Sequence, residues 1–72
     1  MNSAKVNLLL YPKSLVFKAM EDYKNIVKIE IVPNKDEKII SLNFNCNIDD
    51  FKIIKGEFFN YLIQLIEVRQ EI

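Results

Sequence analysis

The side chains best placed to do chemistry are few: two adjacent carboxylate pairs, Glu21-Asp22 and Asp49-Asp50, one thiol, Cys46, and a group of aromatics around Phe58. There is no histidine. Imidazole is the base of Ser-His-Asp triads and a ligand in most zinc sites, so its absence removes both from consideration. On a helix adjacent side chains diverge, so neither carboxylate pair converges on a substrate; Asp49-Asp50 reads as a helix start and Glu21-Asp22 as a solvated face. Cys46, the single cysteine, has no second thiol for an intrachain disulfide and no imidazole to activate it. It reads as a small hydrophobe on the inward face of a strand. Gly56 is the only glycine, which leaves no glycine-rich phosphate loop in any register. The expectation is a non-catalytic chain, without cofactor or metal, that works by binding.

The aromatics carry the remaining signal. Phe51, Phe58, Phe59, Tyr61 and Tyr23 read mainly as core, but helical geometry turns Phe59 well away from Phe58 and Leu62. Phe59, Ile63 and Ile66 form a second apolar stripe and are the candidate partner-binding residues.

These side chains need elements to position them, and the apolar periodicity supplies five. Ala4, Val6, Leu8 and Leu10 alternate with mostly polar neighbours, a strand pattern. Pro12 suits the start of a helix, and Leu15, Val16, Ala19, Met20 and Tyr23 follow at helical spacing. Val27, Ile29 and Ile31 alternate before Pro33, and Ile40, Leu42, Phe44 and Cys46 alternate after the polar Pro33-to-Lys38 connection, which predicts an antiparallel hairpin. Asn47 or Asp49 can cap a last helix, whose first face carries Phe51, Ile54, Phe58, Leu62, Leu65 and Ile72. At about 1.5 Å per residue that helix outruns six-residue strands of about 20 Å, so its C-terminal part should overhang the sheet. The order β-α-β-β-α predicts one small α+β domain over residues 1–72, a three-stranded sheet with two helices on one face. The strand order stays open: the first strand pairs with either the second or the third. Two unpaired sheet edges would remain, able to take an extended peptide.

Composition narrows the partner. Ten basic and ten acidic side chains give zero formal charge, with no like-charge block longer than two. That argues against nucleic acid, whose phosphates require a basic stripe. No apolar run approaches the roughly 20 residues that cross a bilayer, and the N-terminal residues lack a signal peptide's pattern, so a cytoplasmic protein is expected. Half of the residues are hydrophobic, a surplus for so small a body. It predicts apolar surface left for a second copy or a larger partner.

Two segments resemble a known family: Leu10-Tyr11-Pro12-Lys13-Ser14-Leu15-Val16-Phe17-Lys18-Ala19, leading to Tyr23, and Gly56-Glu57-Phe58-Phe59-Asn60-Tyr61-Leu62-Ile63, leading to Arg69. They are similar to the HxsD-like proteins, small partners of radical-SAM enzymes in His-Xaa-Ser type peptide maturation. Tyr11, Ala19, Glu57, Phe58, Asn60 and Leu62 occupy the matching places. The resemblance implies an accessory protein that helps a radical-SAM enzyme engage its ribosomally made precursor peptide, the iron-sulfur chemistry residing on the enzyme. An alternative is a structural dimerisation subunit, resembling the small β-α-β-β-α subunit of the KEOPS tRNA-modifying complex. That subunit's arginine before the last helical asparagine is not matched in spacing here.

Overall fold

The computed structural model describes residues 2–70, with side-chain surroundings through residue 68, so Ile72 lies outside the described residues. Its elements are β1 (Ser3–Asn7), α1 (Lys13–Tyr23), β2 (Lys28–Pro33), β3 (Ile39–Asn45) and α2 (Ile48–Gln70). The sheet runs β1-β3-β2. Both outer strands are antiparallel to β3, Ala4 of β1 and Ile31 of β2 meeting Leu42 from opposite sides. Of the two pairings open to β1, the one with β3 is therefore formed. β1 and β2 are parallel to each other without touching, and the α1 connection passes over the strand between them.

The central place of β3 follows from its side chains. Ile40, Leu42 and Phe44 are all buried, and burial that complete needs neighbours on both flanks. The hairpin to β2 is closed by Asp36, whose side-chain oxygen accepts from the Lys38 amide at 2.9 Å and whose carbonyl accepts from Ile39 at 3.1 Å. Pro33 is tolerated at the end of β2 because an outer strand needs hydrogen bonds on one side alone.

β1 is shorter than its alternation suggests. The Asn7 carbonyl accepts from the amides of Leu10 and Tyr11 at 3.0 Å each, and its side-chain oxygen accepts from Leu9 at 2.9 Å. An asparagine turn of this kind replaces the strand ladder with local hydrogen bonds. It carries the chain off the sheet, leaving Leu9 and Leu10, expected in the strand, 71% and 68% exposed.

Both helices start where local chemistry places them. The Pro12 carbonyl accepts from Leu15 and Val16, and α1 then buries Val16 and Ala19 while Leu15, Met20 and Tyr23 pack at the core rim. At α2 the cap is Asn47. Its side-chain oxygen accepts from the Asp50 amide at 2.8 Å, and its amide group donates to the Asp50 carboxylate at 3.0 Å. This reciprocal arrangement satisfies an orphan donor of the first turn, where Asp49 and Asp50 also complement the helix dipole. α2 runs through Gly56 without interruption, and a Cβ built there meets no neighbouring atom within 4 Å.

The two helices lie against each other and on one face of the sheet. Phe58 and Leu62 of α2 join Val16, Ala19, Val6, Leu42 and Phe44 in one buried cluster. Phe58 is its hub, meeting Phe44 and Tyr23 edge-on with ring centroids 5.5 Å away in each case. No described polar or charged side chain is buried. Cys46 sits just past β3, half-buried against this cluster. The opposite sheet face carries Lys5, Asn7, Lys28, Glu30, Ser41, Asn43 and Asn45, and no described helix is long and apolar enough to cross a membrane.

Candidate partner-binding surfaces

The second stripe of α2 divides on closer inspection. Ile63 is exposed, at 41%, but Phe59 and Ile66 are half-buried against the core. Phe59 rests on Tyr11, ring centroids 5.8 Å apart, and on Phe58 at 5.6 Å. The helical wheel places Phe59 correctly relative to Phe58. What the wheel lacks is Tyr11, which the Asn7 turn brings to that flank of α2. Packing of the helix against the core persists through Leu65 and Ile66, and the overhang begins beyond them, where Val68 is 60% exposed.

A polar tie joins the two helices beside this stripe. The Tyr61 hydroxyl donates to Asp22, and the Lys18 ammonium lies 3.4 Å from the same carboxylate oxygen. The Tyr61 hydrogen bond, with help from Lys18 and against some desolvation, holds Asp22 below the ordinary carboxylate range. The same bond raises Tyr61. Tyr23, next to Tyr61, is raised chiefly by burial and then by Glu57. These contacts stand at the surface and fasten α1 to α2.

The concave surface lies elsewhere, between α1 and the edge strand β2, and sequence reasoning did not find it. Two recesses flank Phe17, itself 43% exposed. One, of about 440 Å³, is lined by Phe17, Met20, Glu21, Lys24, Lys28 and Ile29. The other, of about 500 Å³, includes Leu8, Lys13, Phe17, Ile31 and Pro33 in its lining. Their cations are engaged within the chain: Lys24 with Glu21, Lys28 with Glu30 at 3.7 Å, and Lys13 over the Phe17 ring at 5.5 Å. Glu21 accordingly raises the Lys24 pKa. Small-molecule sites present convergent polar groups to their ligand, and here the three lysines are turned to partners of the chain itself. The outer backbone of β2 has no strand beside it, since β2 ends the sheet. Two exposed apolar side chains stand at its margins, Ile26 at 64% and Val32 at 50%. The signal that marks this edge in the sequence is the repeat of Ile and Val around Lys28 and Glu30, which the strand pattern alone absorbs without comment.

Among the described residues no three His, Cys, Asp or Glu side chains gather as metal ligands would. Comparison with family models, with curated proteins and with solved structures gives no match to this chain.

Proposed function

We propose that this chain is a non-catalytic accessory protein that holds an extended peptide as an added strand on its sheet and presents it to a larger enzyme. The observation that carries this reading is a sheet of only three strands whose two outer members each have an open edge. An open edge supplies main-chain donors and acceptors to any extended segment, while side-chain recesses beside it give selectivity. The resemblance around Tyr11 and Phe58 points to a radical-SAM enzyme as the larger partner and a ribosomally made precursor as the peptide. Ile63, with Phe59 and Ile66 behind it, is the contact assigned to that enzyme.

The test is reconstitution. A radical-SAM enzyme of a His-Xaa-Ser type system and its short precursor peptide are purified, and peptide modification is followed with and without this chain. An increase in modification rate, with amide shifts confined to one outer strand on adding peptide, supports the reading. Unchanged modification and no peptide binding at high micromolar concentration overturn it. The alternative reading, a structural dimerisation subunit, is favoured by the exposed Ile26 and Val32 at the margins of β2. It requires tRNA-modification subunits to co-purify with the chain.

A further inference from the structure

We propose that the outer edge of β2 is an interface for a second copy of this chain, which adds antiparallel in one register with Ile29 on the two-fold axis. This goes beyond the peptide-holding reading: it fills the β2 edge and leaves the β1 edge to the peptide.

The segment Ile26 to Val32 reads Ile-Val-Lys-Ile-Glu-Ile-Val. Turned end for end about Ile29, it sets Lys28 against Glu30 of the second copy and Glu30 against Lys28. Val27 and Ile26 precede β2, in the turn closed on the Tyr23 carbonyl, and flank the paired strands on the side of the second copy's Ile31 and Val32. Side-chain faces match as well. Lys28 and Glu30 share the solvent face of the sheet, whereas Val27 is buried and Ile29 and Ile31 pack against the core on the helix side. In this arrangement the exposed Val32 is brought to the margin of the interface on the side of the second copy's exposed Ile26, and the intrachain Lys28–Glu30 pair, 3.7 Å apart, becomes part of a ring of four alternating charges.

Neighbouring registers fail for stated reasons. A slip of one residue sets core-facing side chains opposite solvent-facing ones, which the pleat does not permit. Centring on Lys28 or on Glu30 places like charges directly across from each other, which destabilises a cross-strand pair. Centring on Ile31 sets Glu30 against Val32 and brings Pro33, which has no N–H, opposite Ile29. The other edge lacks this property: β1 reads Ser-Ala-Lys-Val-Asn, and with Lys5 its single charged residue no register of it pairs opposite charges, while turning it about its centre puts Lys5 on Lys5. Self-complementarity is a requirement that only a copy of the same chain imposes, and complementary charge across the axis occurs on β2 alone of the two edges.

The helix layer agrees with this choice. A two-fold axis normal to the sheet keeps both α1 helices on the same face and brings them side by side, with the recesses around Phe17 between them. The product is a continuous six-stranded sheet, β1-β3-β2 joined to its mate, whose two remaining edges are both β1 and stay open.

The experiment is sedimentation equilibrium of the chain alone, with no peptide or enzyme present, so its outcome is separate from that of the reconstitution. Wild type should dimerise reversibly. Lys28→Glu and Glu30→Lys should each weaken dimerisation by about ten-fold or more, because each sets two like-charge pairs across the axis. The double exchange Lys28→Glu/Glu30→Lys, and an equimolar mixture of the two single variants, should both recover wild-type affinity. Both side chains are exposed, at 72% and 54%, and circular dichroism of each variant verifies that the fold is retained. A wild type that stays monomeric at several hundred micromolar overturns the proposal. So does dimerisation that the exchanges leave unchanged, or a double exchange and mixture that fail to recover it.

Discussion

Phe58 and Phe59 are adjacent in sequence and differ in what their loss would do. Phe58 is fully buried among Phe44, Tyr23 and Leu62, so Phe58→Ala should cost about 3–5 kcal/mol through the cavity it leaves. Phe59 covers Tyr11 from the side. Phe59→Ala removes that contact and the one with Phe58 and should cost about 1–3 kcal/mol, from two aromatic pairs of about 0.5–1.5 kcal/mol each, in addition to any loss of partner affinity. Urea unfolding of the two variants gives both numbers, and equal losses would place Phe59 in the core proper. Gly56 offers a gain instead. Its site is open to a Cβ, and Gly56→Ala should raise stability by about 1 kcal/mol because alanine is the better helix former. A lower melting temperature for that variant would mean that this turn of α2 is under a constraint the open space does not reveal.

At the level of elements, the tie between α1 and α2 has a defined dependence on pH. Asp22 in the folded chain titrates below its ordinary 3.8. Its contribution is therefore complete above that value and is lost as pH falls through the lower folded one. Tyr61 titrates above its ordinary 10.0, so its share is complete below that value and is lost as pH rises through the higher folded one. Tyr61→Phe should flatten both limbs of the wild-type curve of melting temperature against pH and leave neutral pH least affected in shape. Identical limbs in the two proteins would show that solvent screening cancels the bond. The elements themselves were largely legible in the sequence. Val16 and Ala19 at helical spacing, and Ile40, Leu42 and Phe44 at alternate positions, are periodic signals set by burial, and burial followed them. The end of β1 was not legible, because Leu8 and Leu10 continue the alternation and the competing hydrogen bonds come from the Asn7 side chain and carbonyl. The order of strands was not legible either, since it depends on which strand has apolar neighbours on both sides. The candidate contact on α2 was half legible: the wheel fixes the angle of Phe59, but the cover supplied by Tyr11 comes from a distant turn.

For the whole molecule, size and association are coupled. A chain of 72 residues buries only about 60% of its unfolded surface, so its stability margin is thin. Pairing through β2 would add to that margin by mass action. The melting temperature of the wild type should then rise with protein concentration, whereas that of Lys28→Glu should stay flat over the same range. Differential scanning calorimetry at concentrations spanning two decades measures this. A wild-type melting temperature independent of concentration would place folding in the monomer alone.

The position of β3 also sets a timetable for synthesis. The strands that flank it, β1 and β2, both leave the ribosome before it does. Until residues 39–45 emerge, a nascent chain has a helix and two strands but no ladder of any kind, because neither early strand pairs with the other. At about 5–20 residues per second the interval between completing β2 and completing β3 is on the order of one second. During it the Ile-Val-Lys-Ile-Glu-Ile-Val segment is bare on both edges, and polysomes bring further copies of it close by. A pause that falls after β2 has cleared the ribosome and before β3 has done so would lengthen that exposure, and rare codons at the downstream positions read in that interval should raise the fraction of chain recovered as aggregate while leaving the sequence of the product unchanged.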